Sequence, residues 1–192
     1  MDTLFVNYIN LLRSIVPLEQ RDVDVIIKNL SVKIVTKNTI FKHAGSMVKE
    51  LYFVNKGCIR TFYLDKNSKE FTRNIAFENT YCWAINFLND FPIHEFVEAI
   101  TDSELLVFTK EKFNFLVESI PSFRKGYMLS LEKIALIYAT RVETLITLNA
   151  KERYQNLLLN SPDMVLTISN KIVASYLGIT EQSLSRIKAQ SQ

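Results

Sequence analysis

The hydrophobic pattern changes period twice along the chain. Between residues 3 and 15, Leu4, Ile9, Leu11, Leu12 and Ile15 fall near helical spacing; Pro17 interrupts, and residues 18 to 30 resume a helical pattern. Two short helices are expected first. From Ser31 the chain breaks into short runs rich in β-branched and aromatic residues, at 32–35, 39–41, 51–55, 58–64, 70–77, 96–100 and 104–109. Ala44-Gly45-Ser46, Asn55-Lys56-Gly57 and Asp65-Lys66-Asn67-Ser68 supply turn residues between them. Many short strands at this spacing predict a sandwich or β-roll.

The period then returns to that of a helix. Residues 110–119 read as a short helix, and after Pro121 the chain runs through 149 with no further proline and with Gly126 as its only glycine. Tyr127, Leu131, Ile134, Tyr138, Val142, Leu145 and Leu148 recur there at spacings of three and four, which predicts one long amphipathic helix. Such a seam suits packing against a second copy of the chain; the alternative is a helix lying on its own domain's core. A further helix is expected over 151–159, closed by Asn160-Ser161-Pro162-Asp163.

The most specific stretch is 168–188. Ser169 can cap a helix whose Ile172, Val173 and Leu177 face inward, small Ala174 lets a second helix cross closely, and Gly178 supplies a permissive turn backbone. Thr180 then caps a second helix, in which Leu184 and Ile187 face the core. Glu181, Gln182, Ser183, Ser185, Arg186 and Lys188 are left outside. Such a face suits a major groove, because Arg can pair with guanine, Gln with adenine, and Ser with bases or phosphates. The plainer reading is a helical hairpin with a solvated face.

Composition and charge narrow the class. With 192 residues, 48% of them hydrophobic, and only four glycines and four prolines, the chain can bury a substantial core. No uncharged stretch approaches the roughly eighteen residues of a membrane span, and the opening Met1-Asp2-Thr3-Leu4-Phe5 carries no basic leader, so a cytoplasmic protein with no membrane partner is expected. Cys58 and Cys82 are too few for a disulfide framework, a zinc site or a four-thiolate cluster, and are expected as reduced, largely buried thiols. The net charge of +3 is modest but uneven: residues 121–192 hold nine Lys and Arg against five acids, and residues 1–120 fourteen against fifteen. The C-terminal third is therefore the expected nucleic-acid side.

Enzyme chemistry finds no constellation. A metal-dependent cupin on a similar barrel needs several closely spaced His with a carboxylate, whereas His43 and His94 stand far apart. The chain also lacks a phosphate-cradling Gly-rich loop and a Gly-x-Ser-x-Gly elbow. No enzyme, metal site or cofactor is expected.

Two blocks resemble the Crp/Fnr regulators, the cyclic-AMP-receptor-like proteins, and in particular the short members common in Bacteroidetes. One is Val173-Ala174-Ser175-Tyr176-Leu177-Gly178-Ile179-Thr180 followed by Leu184-Ser185-Arg186-Ile187. The other is Leu51-Tyr52-Phe53-Val54-Asn55-Lys56-Gly57-Cys58-Ile59-Arg60. The resemblance implies an α+β fold: a β-roll or jelly-roll, cyclic-nucleotide-binding-like sensor domain over 1–120, a dimerisation helix over 121–149, and a helix-turn-helix domain over 150–192. It implies a homodimer, paired here through Tyr127, Leu131, Ile134, Tyr138, Val142 and Leu145, with double-stranded DNA and RNA polymerase as further partners. Ser169, Thr180, Glu181, Gln182, Ser183, Ser185, Arg186 and Lys188 are the DNA-contacting candidates.

Two departures from the family matter. Members that bind cyclic nucleotides carry a Gly-Glu pair for the ribose and, further on, an Arg-Ser or Arg-Thr pair for the cyclic phosphate. Here Cys82-Trp83 replaces the first pair, and around Pro92-Ile93 there is no arginine. Without those charge-assisted contacts, cyclic AMP is not expected to bind in the usual mode. Tyr81, Cys82, Trp83, Ala84, Ile85, Pro92 and Ile93, with Phe87 and Phe91 nearby, are candidates either to fill the pocket or to line an apolar site for another small effector. The sequence also ends at Gln192, short of the β-hairpin wing of many members, which would weaken phosphate contact. The alternative to a DNA-binding regulator is a sensor or protein-interaction module whose DNA reader has degenerated.

Overall fold

The structure is a computed structural model that describes residues 3–82, 87 and 91–190. A 3-10 turn, Thr3–Phe5, leads into α1 (Val6–Ile15) and α2 (Gln20–Lys28). Among the described residues eight strands follow: β1 (Ser31–Val35), β2 (Ile40–Lys42), β3 (Glu50–Lys56), β4 (Ile59–Leu64), β5 (Glu70–Ala76), β6 (Thr80–Cys82), β7 (Phe96–Ala99) and β8 (Ser103–Thr109). Then come α3 (Lys110–Ser119), α4 (Pro121–Thr147), α5 (Ala150–Asn160), α6 (Pro162–Thr167), α7 (Asn170–Leu177) and α8 (Glu181–Ala189). The strands form two four-stranded sheets, ordered β1-β8-β3-β6 and β2-β7-β4-β5. This is the expected β-roll followed by one long helix. Not anticipated were β6, three residues long and inside the stretch read as a pocket cassette, and α6, which Pro162 starts at a position where a missing N–H costs nothing.

By contact the chain divides into two compact units, Met1–Thr61 with Ile75–Glu132, and Phe62–Asn74 with Lys133–Gln192. The division runs through α4 at 132 and assigns the tip of the β4–β5 hairpin to the C-terminal unit.

In the first unit the sheet containing β3 and β8 is buried on both faces, which is why 51–54 and 105–108 read as continuous apolar runs. One face, with Tyr52, Val54, Cys82, Leu105 and Val107, closes the interior of the roll together with Ile59, Val97 and Ala99 of the second sheet. The other face carries Phe53, Tyr81 and Phe108 against the helices. Tyr8 of α1 packs on Phe53 and Phe108 at 4.7 and 5.6 Å between centroids, and Phe113 of α3 lies 6.0 Å from Phe108 and 5.8 Å from Phe123. Gly126 admits α1 to this layer, since a Cβ there would lie 3.3 Å from Leu12.

The turn after β3 depends on Gly57. Its φ is +90°, and a Cβ would fall 2.5 Å from the Asp102 carbonyl oxygen and 2.6 Å from Ser103 Oγ. Gly57→Ala should therefore destabilise the fold by roughly 2–5 kcal/mol, left-handed strain adding to overpacking. Urea denaturation at wild-type midpoint would refute this account of the turn.

Candidate functional site

In the C-terminal unit, α5 starts on a capping box in which the Asn149 side chain accepts from the Glu152 amide while the Glu152 carboxylate accepts from the Asn149 amide. Arg153 on α5 donates to the carbonyls of Leu148 and Leu177, tying α5 to the start of its own loop and to the end of α7. Val173, Ala174 and Leu177 of α7 and Leu184 of α8 are buried. Gly178, at φ +70°, ends α7, and the Ile179 amide closes back on Ala174 O at 3.0 Å. Thr180 Oγ1 accepts from the Ser183 amide at 3.2 Å and caps α8 as the spacing predicts. Ser169 occupies the cap position of α7 but makes no side-chain cap hydrogen bond.

Glu181, Gln182, Ser185 and Arg186 are exposed on α8, and among the described residues their side chains have no hydrogen-bond or ion-pair partner. Ser183 is half-buried, its hydroxyl 2.9 Å from that of Thr180, and Lys188 Nζ donates to Asn170 Oδ1 at 2.6 Å. Arg186 and Lys188 stand in the last turn of α8, where cations complement the helix dipole. The helix thus presents a polar surface whose central groups are uncommitted.

The expected dimer seam is divided. Tyr127 is buried in its own unit, its ring 4.7 Å from Phe113. Leu131, Ile134 and Tyr138 are half-buried, and Tyr138 accepts from Arg73 Nη1; Val142 and Leu145 are exposed. Met128, Ala135, Leu136, Ala139 and Ile146 are exposed as well, Leu136 at 69% and Ile146 at 78%. Positions 128, 132, 135, 139, 142 and 146 repeat at alternating four and three, so this second stripe was readable in the sequence. The seven-residue set beginning at Tyr127 masked it by containing larger side chains.

Of the expected pocket residues, Tyr81, Cys82, Pro92 and Ile93 are described. Cys82 faces the roll interior, whereas Tyr81, one residue earlier on β6, points to the opposite face, where its hydroxyl lies 2.8 Å from that of Tyr8. Strand alternation separates them. Ile93 is buried and Pro92 exposed, its backbone bridged to Met47. Trp83, Ala84 and Ile85 lie outside the described residues. Two groups carried no sequence signal. Thr61, on the same face of β4 as Ile59, is 1% exposed, and its hydroxyl has no hydrogen-bond partner among the described residues. Arg60, on the other face, is buried with its guanidinium on Glu98, Nε 2.6 Å and Nη2 2.5 Å from Oε2. Burial pushes the Cys58 thiol up to about 12, which keeps it protonated. His43 stacks edge-on to Phe96, and among the described residues no His, Cys, Asp and Glu group could hold a metal.

Residues 32–119 match the family model of the cyclic nucleotide-binding domain. That segment is similar to the domain and spans slightly less than half of the chain. The chain is also similar in fold to several solved regulators. It superposes on the c-di-GMP responsive global regulator CLP of Xanthomonas campestris with a TM-score of 0.73 at 14% identity, covering 90% of this chain and 92% of that one. A CooA variant from Carboxydothermus hydrogenoformans gives 0.73 at 19% identity, over 99% and 84%. A transcriptional regulator of the Crp/Fnr family from Eubacterium rectale gives 0.69 at 19% identity, over 88% and 82%. No curated protein matches the sequence. Within the matched segment, the described core of the roll is apolar, and Thr61 is buried on the same strand as Ile59. No described helix is long and apolar enough to cross a membrane.

The two caps give a direct comparison. Thr180→Ala should destabilise the C-terminal unit by about 1 kcal/mol, and Ser169→Ala by less than about half of that, because only Thr180 accepts a helix amide. Equal losses in thermal unfolding would contradict the assigned caps.

Proposed function

We propose that the chain is a Crp/Fnr-type transcription regulator that binds DNA as a homodimer, with α7 and α8 as a helix-turn-helix and α8 as the reading helix. The observation that carries this reading is the exposed, uncommitted set Gln182, Ser185 and Arg186 on a helix braced from behind by Leu184 and Ile187. In a major groove, Arg186 suits guanine O6 and N7, Gln182 suits adenine, and Glu181 suits the cytosine amino group. Thr180, Ser183, Ser169 and Lys188, nearer the turn or already hydrogen-bonded, suit the phosphates that fix register.

The second copy is the occupant proposed for the exposed stripe of α4 and the exposed Leu136 and Leu145 that flank it; Val142 and Leu145 are kept from the expected seam, and Leu136 and Ile146 are added. A two-fold dimer with two reading helices requires a roughly palindromic operator with half-sites about one helical turn apart. Ile146→Glu with Leu136→Glu should shift the protein toward monomer in analytical ultracentrifugation. A dimer of undiminished stability would move the interface elsewhere.

Cyclic AMP is not the effector in this reading, since Cys82 and Pro92-Ile93 offer no carboxylate or guanidinium to a cyclic phosphate. The test is selection of bound duplexes from a random library, with and without cyclic AMP. An inverted repeat should be enriched in both conditions, and Arg186→Ala should lose about 1–3 kcal/mol of discrimination at one base pair of each half-site. Failure to enrich any motif would leave a sensor without a DNA reader.

A further inference from the structure

β5 is an edge strand, and its outward edge is where another strand could add. Side chains from two helices of the same unit satisfy it instead. The Thr72 amide donates to Ser175 Oγ of α7 at 2.8 Å, and Ser175 Oγ donates to Glu70 O at 2.9 Å. Arg141 Nη2 of α4 donates to Thr72 O at 3.1 Å and to Tyr176 O of α7 at 2.7 Å, while its guanidinium stacks 3.6 Å from the Tyr176 ring centroid. At the outer end, Lys171 Nζ of α7 meets Glu70 Oε1 at 2.9 Å. Backbone polar groups of residues 70 and 72 are thus met by α7 and α4.

These contacts hold the first helix of the α7–α8 pair on a hairpin that is continuous with the sensor. Ile59 and Ala76, at the base of the same two strands, belong to the roll core. We infer that the β4–β5 hairpin is an autoinhibitory clasp: it holds α7 and occupies Lys171 with the Glu70 carboxylate, so that DNA and the hairpin compete for the same helix. The inference rests on the DNA-binding reading above. Its direction follows from docking geometry, since the first helix of a helix-turn-helix crosses the phosphate backbone. There a lysine adds attraction, and a carboxylate held against it subtracts. The clasp consists of hydrogen bonds and an ion pair whose lysine is exposed and whose glutamate is half-buried, each of modest net strength, so it can open.

Ser175→Ala removes the hydroxyl and leaves a residue that favours helix. Glu70→Gln removes the competing charge alone. The full-length protein and both variants are titrated with the selected operator duplex over a range of salt, and amide exchange is followed at Thr72 and along α7. The expected result is faster exchange at Thr72 in Ser175→Ala with α7 still protected, and operator binding roughly three- to tenfold tighter in both variants, the size of one or two modest interactions. Glu70→Gln should also steepen the salt dependence by about one phosphate contact, and adding Lys171→Gln should cancel the gain. Specific binding by the wild type with equal or weaker binding by both variants overturns the clasp and leaves the regulator reading intact. No DNA binding by any of the proteins, with Thr72 exchange accelerated, removes the regulator reading and the inhibitory role together.

Discussion

A sheet buried on both faces constrains the N-terminal unit. β3 and β8 have the roll interior on one side and an aromatic layer from α1, α3 and α4 on the other. No position along their centres can be left to water, so polar groups must find partners locally. Tyr8 and Tyr81 do so with each other: burial, ahead of their mutual contact, raises the Tyr8 hydroxyl well above its ordinary value, and burial raises Tyr81 likewise. Both stay neutral donors and acceptors at any physiological pH. The same constraint limits what an effector pocket can be, since only alternate residues of β6 reach the roll.

This explains what was legible in the sequence. Continuous apolar runs at 51–54 and 105–108, and a helical period over 121–147, are long signals, and they are found as strands and a long helix. Thr180 and Gly178 were legible because a cap and a left-handed turn demand particular residue types. β6 was not, because three residues are too few for a period and the stretch had been read for its chemistry. The side on which Tyr81 falls could not be assigned without that strand. Ser169 shows the limit of a composition rule: the cap position was correct, but the hydroxyl was not turned to the helix amides. The unit boundary inside α4 was also illegible, since nothing in the helix pattern changes at residue 132.

Three backbone segments cross that boundary, α4 and the two strands of the β4–β5 hairpin. The Thr61 hydroxyl is buried near the start of the first of those strands.

The exposed stripe of α4 constrains how the proposed dimer would work. Its positions are not equally apolar: Glu132 occupies the second of the six, and those after it, Ala135, Ala139, Val142 and Ile146, are small or branched, with Leu136 and Glu143 flanking them. Two Glu132 carboxylates facing each other would repel, as a polar residue at a coiled-coil core position weakens pairing while fixing register. Attraction is then concentrated in the C-terminal half of the helix, where alanines allow close approach. That half belongs to the same compact unit as α7 and α8. The contact that would join the two chains thus lies in the unit that would read DNA, so a change in how the helices meet would alter the separation of the reading helices more directly than it would alter the β-roll.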